Sequence, residues 1–370
     1  MKYYIIAGEA SGDLHASNLI REIKRRDPNA TFRCWGGDLM ASQGAVLVKH
    51  YRDLAFMGFI EILFSLKTIL GNIKFCKKDI LEYKPDALIL VDYPGFNLRI
   101  AEFAHNAGIK VMYYISPQVW AWKQSRVKKI KLFVDRMFVI LPFEKDFYKK
   151  HNFETDFVGH PLLDAIEQNK FSDEQIFRKE NSLNNKPIIA ILPGSRKQEI
   201  SKMLPVMLPV AEHFKEFQFV IAGLSVNTRE FYESMIRDSG IKILFDQTYN
   251  ILQHATAALV TSGTATLETA LFEVPEVVCY KGSGMSFWLA KRIVNVKYIS
   301  LVNLILDREV VKELIQKDFT KENLIQELSA LLKDEQKKSH ISKDYLELKS
   351  MLGGPGASAK TAEIIVSALN

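Results

Sequence analysis

Eight short apolar runs, each bounded by turn residues, set the limits on what this chain can fold into. They are Tyr3–Ala7, Ala87–Val91, Lys110–Ile115, Met137–Leu141, Ile188–Leu192, Gln218–Ala222, Ala257–Thr261 and Glu276–Tyr280, with longer helical patterns between them. Their apolar character is continuous rather than alternating. That marks strands covered on both faces, hence parallel sheets joined through helical crossovers. The fold class that follows is α/β, doubly wound, with two Rossmann-like domains. The runs form two series, because Gly159–Asn185 between them is polar and charged, contains Pro161 and holds no β-branched run. A length of 370 residues also suits two domains of roughly 150 to 200 residues each. The expected division is a first domain over 1–165, a second over 166–350 and a C-terminal helical segment over 351–370, which follows the helix stop Gly353-Gly354-Pro355-Gly356. Two such domains in tandem are expected to leave a cleft facing the carboxyl ends of both sheets, and function is expected there.

Composition narrows the class further. Hydrophobic residues at 48% and charged residues at 25% are the balance of a soluble globular protein. A net charge of +6 is too small to argue for nucleic acid, but it suits an anionic partner or an anionic membrane surface. Cys34, Cys76 and Cys279 lie far apart with no C-x-x-C spacing, so neither a disulfide framework nor a cysteine metal site is expected, and the cytoplasm is the natural compartment. No signal peptide is read at the N-terminus, and no apolar run approaches the roughly 20 residues of a membrane-spanning helix.

Four segments carry chemistry. Gly8-Glu9-Ala10-Ser11-Gly12-Asp13 follows the first strand and opens a helix. Glycines there permit close approach of a ligand, but Glu9 and Asp13 put carboxylates where a pyrophosphate would sit, so a sugar with hydroxyls suits the loop better. Ser11 adds a further polar group. The plain alternative is a capped turn with Asp13 favouring the helix dipole. The strand Leu88–Val91 delivers Asp92 at its carboxyl end, where a carboxylate raised toward neutrality by burial can act as a general base. Asn97 belongs to the same candidate site, Gly95 leaves room for a sugar, and Glu9 is the rival base. In the second series Pro193-Gly194-Ser195-Arg196 ends a strand in small residues and a cation, and Glu199 follows. Free N–H groups, the helix dipole and Arg196 suit a diphosphate. Ser262-Gly263-Thr264-Ala265-Thr266-Leu267-Glu268 has the same geometry with hydroxyls, and Glu268 is placed to grip ribose hydroxyls.

Other features are less specific. Over Leu54–Phe75 a helical period gathers Phe59, Ile62, Leu63, Leu66, Ile69, Leu70 and Ile73 on one wide arc, with Lys67 and Lys74 at its edge. That pattern fits either a buried core helix or a helix lying in a lipid interface, and Lys77 and Lys78 favour the interface. Ser116-Pro117-Gln118-Val119-Trp120-Ala121-Trp122 carries two of the four tryptophans in a loop after a strand, as a cleft wall would. His160 reads as part of a junction turn rather than a catalytic group. With no D-x-D and no His-rich spacing, neither a metal nor a cofactor is called for.

Taken jointly, the Gly8–Asp13 loop, Ser116-Pro117 with Val119–Trp122, Pro193–Arg196 and Ser262–Glu268 resemble, in order and spacing, the lipid A disaccharide synthases. The resemblance is continuous from Lys2 to about Arg308. It implies a GT-B architecture and an inverting transfer that joins UDP-2,3-diacylglucosamine to 2,3-diacylglucosamine 1-phosphate, giving the β-1′,6-linked disaccharide and UDP. It also implies attachment to the cytoplasmic face of the inner membrane of a Gram-negative bacterium, no metal, and a homodimer whose C-terminal segment is exchanged or packs back on the first domain. Asp92 matches the presumed catalytic aspartate, Arg196 an essential arginine, and Asn303 another nucleotide-site residue. Some relatives have a second aspartate where this chain has Gly95. The competing readings are another GT-B enzyme acting on UDP-N-acetylglucosamine, either an epimerase or a lipid-linked sugar transferase, and a non-catalytic membrane protein that binds a nucleotide-sugar.

Overall fold

The computed structural model describes residues 1–53, 59–121, 123–169, 171–236, 239–282 and 297–370, and for 59–67 the backbone course alone. The chain divides into two compact units, Met1–Gln168 with Leu352–Asn370, and Asn169–Met351.

The first unit is built on β1 (Lys2–Ala7), β2 (Thr31–Gly36), β3 (Val46–His50), β4 (Ala87–Val91), β5 (Lys110–Tyr114), β6 (Arg136–Val139) and β7 (Asp156–Phe157). They form a parallel sheet in the order β3-β2-β1-β4-β5-β6-β7. In the second unit β8 (Ile188–Leu192), β9 (Gln218–Gly223), β10 (Lys242–Phe245), β11 (Ala255–Thr261), β12 (Glu276–Tyr280) and β13 (Lys312–Ile315) form a parallel sheet in the order β10-β9-β8-β11-β12-β13. Both sheets therefore run outward in two directions from a central pair, β1 beside β4 and β8 beside β11. In sheets of this kind ligands bind at the carboxyl ends of that pair, where the strand order reverses.

The continuous apolar runs are explained by burial on both faces. Tyr3, Ile5 and Ala7 of β1 pack with Ala16, Leu19, Ile20 and Ile23 of the Ala10–Arg26 helix and with Ala362, Ile365 and Val366 of the Ala357–Leu369 helix. Tyr4 and Ile6, pointing the other way, pack with Ile73, Cys76 and Ile80 of the Phe59–Tyr83 helix and with Ile100 and Ala104 of the Pro94–Asn106 helix. Two polar anchors fix these layers. Asp79 accepts from Arg33 Nε at 2.8 Å and Nη2 at 2.6 Å, and from the Tyr4 hydroxyl at 2.6 Å. Desolvation alone would raise the Asp79 pKa, but the Arg33 and Tyr4 hydrogen bonds outweigh it and hold the carboxyl below its ordinary value. Asp164 caps the C-terminal helix, accepting from the N–H groups of Gly356 at 2.6 Å, Ala357 at 3.2 Å and Ser358 at 2.8 Å.

On the Phe59–Tyr83 helix, Ile62, Leu63, Leu66 and Lys67 have side chains outside the described residues. Ile69 is half-buried against the core and Ile73 is buried, so the apolar arc read from sequence does not point in one direction. Leu70, Lys74, Phe75 and Leu81 are exposed. Among the described residues, no helix is long and apolar enough to cross a membrane.

Candidate active site

In the first unit Ala7 of β1 pairs with Val91 of β4, so Gly8 and Asp92 leave the sheet side by side at the reversal point. Gly8 is required there because a Cβ would run into the Tyr93 ring. Glu9 is the N-cap residue of the Ala10–Arg26 helix, but its exposed side chain makes no capping bond. Beyond β4 both Asp92 and Tyr93 adopt left-handed backbone, with φ of 42° and 49°. That conformation is unfavourable for most residues but among the better tolerated for Asp. Two side chains hold the bend by donating to the Asp92 carbonyl, the Tyr113 hydroxyl at 2.6 Å and Asn97 Nδ2 at 2.7 Å. Although Asp92 is exposed, desolvation beside the strand ends, and then the nearby Glu9 charge, push its pKa up to about 6 against a hydrogen bond from the Tyr93 amide. A carboxylate of this kind, able to gain a proton near neutrality, is what a general base needs. A Cβ at Gly95 would meet nothing within 4 Å, so the space beside the base is open.

Two residues expected to touch a ligand are used by the fold instead. Asp13 is buried, and accepts from the N–H groups of Gly37 at 2.8 Å, Leu39 at 3.1 Å and Met40 at 3.1 Å. It caps the neighbouring Asp38–Ser42 helix, so its carboxylate is unavailable to a sugar. Asn97 is fully buried and its amide nitrogen binds the carbonyls of Val91 and Asp92, which makes it a brace for the base rather than a contact for substrate. Ser11 is exposed, on the first turn of its helix beside Glu9.

In the second unit Leu192 of β8 pairs with Val260 of β11, and the two turns that follow face outward from adjacent strands. Gly194 has φ of 103°, and a Cβ there would come within 2.9 Å of Glu199 Oε2. The Arg196 amide donates to Glu199 Oε2 at 3.3 Å, and buried Asn227 donates to the Ser195 carbonyl at 2.9 Å, so the turn is fixed from both sides. Ser195 and Arg196 are exposed, just ahead of the Lys197–Met207 helix. Arg196 Nη1 stands 3.5 Å from Glu199 Oε1, but with 65% of the Arg196 side chain exposed this pair is weak and can yield to a phosphate. At the β11 end Gly263 and Thr264 are exposed ahead of the Thr264–Leu271 helix, while Ser262 donates to the Ile299 carbonyl at 2.9 Å. Glu268, partly buried, accepts from the Tyr249 hydroxyl at 3.0 Å, and burial raises its pKa.

Two expectations are corrected in this unit. Thr266 is fully buried and donates its hydroxyl to the Gly263 carbonyl at 2.9 Å, closing the helix turn instead of facing a ligand. Asn303 is also fully buried, and all four of its hydrogen-bonding positions are filled. Its Nδ2 donates to the Val311 carbonyl and to Glu313, and its Oδ1 accepts from the Val310 and Val311 amides. His160 is the N-cap of the Pro161–Glu167 helix through Nδ1, with burial lowering its pKa to about 3, so it belongs to the turn. Sequence reasoning missed Tyr113, Asn227 and buried Glu144. The last had a signal, since Ile140-Leu141-Pro142-Phe143-Glu144 sets a carboxylate at the end of β6.

Two units, each a parallel sheet whose strand order reverses at a central pair, define a GT-B-like α/β fold. Solved structures with this fold include the UDP-GlcNAc 2-epimerase of Neisseria meningitidis bound to UDP-GlcNAc, at a TM-score of 0.68 and 13% identity over 100% of this chain and 99% of that one. The UDP-GlcNAc 2-epimerase of Methanocaldococcus jannaschii, in complex with UDP-GlcNAc and UDP, gives a TM-score of 0.65 and 14% identity over 100% and 99%. Sequence narrows the class to a family. The family model described as lipid-A-disaccharide synthetase matches residues 3–366. The lipid-A-disaccharide synthase of Trichlorobacter lovleyi is 38% identical over 98% of this chain and 96% of its own length. That of Syntrophus aciditrophicus is 38% identical over 97% and 95%. The chain belongs to the lipid-A-disaccharide synthase family.

Proposed function

We propose that this chain joins UDP-2,3-diacylglucosamine to 2,3-diacylglucosamine 1-phosphate by a single inverting displacement, with Asp92 as the base and Arg196 as the principal diphosphate ligand. The first unit would hold the acceptor and the second the UDP-sugar. Asp92 takes the proton of the acceptor 6-hydroxyl as that oxygen bonds to the donor's anomeric carbon. The bond from that carbon to the diphosphate oxygen breaks, and its electron pair leaves with UDP. Arg196, with the Gly194 and Ser195 amides, neutralises charge that grows on the leaving diphosphate, so its effect falls on the transition state as well as on binding. Gly263 and Thr264 offer further donors, and Glu268 suits ribose hydroxyls. Glu9 stands beside Asp92 as a like charge that raises its pKa, and it is the alternative base. The observation that carries this reading is the exposed Asp92 at the β1–β4 reversal point, held by Tyr113 and Asn97 with its pKa pushed up to about 6. The test is UDP release measured with both acylated sugars and with each alone. Release that needs both supports transfer, whereas turnover of the donor alone points to an epimerase or a hydrolase.

We also propose that the protein works at an anionic membrane surface, where both substrates keep their acyl chains. Supporting this, Leu70 and Leu81 are 63% and 50% exposed on the Phe59–Tyr83 helix, with exposed Lys74 and Lys78 beside them. A homodimer is part of the same reading. Within the single chain the Ala357–Leu369 helix packs on the first unit through Ala362, Ile365 and Val366.

A further inference from the structure

Glu144 opens the Glu144–Lys150 helix just beyond β6 and is 1% exposed. Its Oε2 accepts from the N–H groups of Leu141 at 2.9 Å and Ile140 at 3.1 Å, folding back over the turn that precedes its own helix. Its Oε1 is buried with no hydrogen-bond partner, and so is the indole Nε1 of Trp120. The two orphans are complementary, one an acceptor and the other a donor only. They are also neighbours. The Trp120 ring meets Phe143, the residue before Glu144, edge-on with ring centroids 4.9 Å apart, and Trp120 and Ser116 both act to lower the Glu144 pKa. Ser116, buried, stands 2.8 Å from the Tyr148 hydroxyl, one turn further along the Glu144 helix. The Ser116 hydroxyl donates to the Pro117 carbonyl at 3.1 Å, so the unspent donor beside this carboxyl is the Trp120 indole.

We propose that Glu144 is a positioning residue that locks the Ser116–Ala121 loop at the carboxyl edge of the first sheet, by taking the Trp120 indole N–H on Oε1, and that this loop forms a wall of the acceptor site. The second half rests on the acceptor reading above; the lock itself does not. The loop leaves β5, whose Tyr113 holds the Asp92 carbonyl, so a loop fixed here is fixed relative to the base. The Ile140 and Leu141 N–H groups and the indole are donors only, which calls for the carboxylate. Burial opposes it and pushes the pKa up to about 7, with the Leu141 and Ile140 hydrogen bonds, and then Ser116 and Trp120, working the other way. The other titratable group facing it is Tyr148, which burial keeps neutral. Ionised Glu144 accepts the indole, and the lock weakens as the group gains a proton. An isosteric amide fails in either orientation, because its NH2 must face the Ile140 and Leu141 N–H groups or the indole N–H.

Tryptophan emission of the full chain, titrated from about pH 5.5 to 8.5, tests the lock, with Trp120→Phe assigning the signal among the four tryptophans. A Trp120 transition with a midpoint near 7 is expected in the native chain and is absent from Glu144→Gln. Steady-state kinetics at pH 8 then tests the wall. Losing a hydrogen bond to a charged group is worth about tenfold or more, expected in KM for the acceptor with KM for UDP-sugar unchanged. Trp120→Phe, the gentler variant, should raise acceptor KM by a similar factor, and the double variant should add little. A Trp120 signal that ignores pH in the native chain, or persists unchanged in folded Glu144→Gln, overturns the lock. An intact lock with unchanged acceptor KM in both variants overturns the wall. If the lock is seen but the native chain does not turn over the two acylated sugars, the substrate reading fails and the lock stands.

Discussion

Replacing Asp92 by Asn is the sharpest perturbation of the chemistry, because the structure isolates what the change removes. Asn is the residue that, like Asp, best tolerates the left-handed backbone at φ of 42°. The Tyr113 and Asn97 bonds go to the Asp92 backbone carbonyl and survive the substitution. Shape, backbone and brace are therefore kept while basicity is lost. A positioned base contributes about 10² to 10⁴ in rate, or roughly 3 to 5 kcal/mol of barrier. A fall in kcat of that size is expected, measured as UDP release at saturating donor and acceptor, with UDP affinity unchanged. The native pH profile supplies the internal check. With a pKa of about 6, Asp92 is roughly nine-tenths ionised at pH 7 and roughly one-tenth at pH 5. kcat/KM should therefore fall close to tenfold per pH unit below about 6. The neighbouring Glu9 charge helps raise that pKa, so Glu9→Gln should move the acid limb to lower pH and retain most of kcat. Normal turnover by Asp92→Asn combined with loss of turnover in Glu9→Gln would refute the reasoning and make Glu9 the base.

Other outcomes follow from the same geometry. Arg196→Ala should lose on the order of a hundredfold or more in kcat/KM, and a folded variant with native kcat/KM would remove Arg196 from the diphosphate site. Leu70→Ser with Leu81→Ser should weaken co-sedimentation with anionic vesicles at an unchanged melting temperature, since both side chains are exposed; a large drop in that temperature would instead assign them to packing. Asn303→Ala should lower stability by about 2 to 4 kcal/mol by orphaning the buried Val310 and Val311 amides, read by denaturant unfolding. A purely kinetic effect at native stability would return Asn303 to the nucleotide site.

The centre of each sheet was legible in the sequence, and its margins were not. All eight apolar runs are strands, with Ala87–Val91, Ile188–Leu192 and Glu276–Tyr280 matching to the residue. The strands not read were β2, β3, β7, β10 and β13, and four of these are the sheet edges. An edge strand is not buried on both faces, so it lacks the continuous apolar run that announces a central one. β2 lies inside the sheet but is interrupted by Arg33, whose charge is matched by Asp79 on a distant helix. The turns at the reversal points were legible because they follow the central strands, whose apolar runs are plain in the sequence. Which polar side chain in a turn faces outward was not. Asp13, Asn97, Thr266 and Asn303 have the chemistry of a ligand contact and equally that of a backbone cap, and only the fold shows that their partners are amides and carbonyls. Glu144 escaped for the opposite reason, because a single acid after Pro142-Phe143 looks like an ordinary helix start until its burial is known.

The most direct test of the account is the anomeric configuration of the product, made from α-linked UDP-2,3-diacylglucosamine and 2,3-diacylglucosamine 1-phosphate and read from the proton coupling at the new linkage by NMR. One displacement assisted by a single base predicts the β-1′,6 linkage, formed by the native chain and lost in parallel with kcat in Asp92→Asn. An α-linked product, or a sugar covalently bound to the protein during turnover, would contradict it.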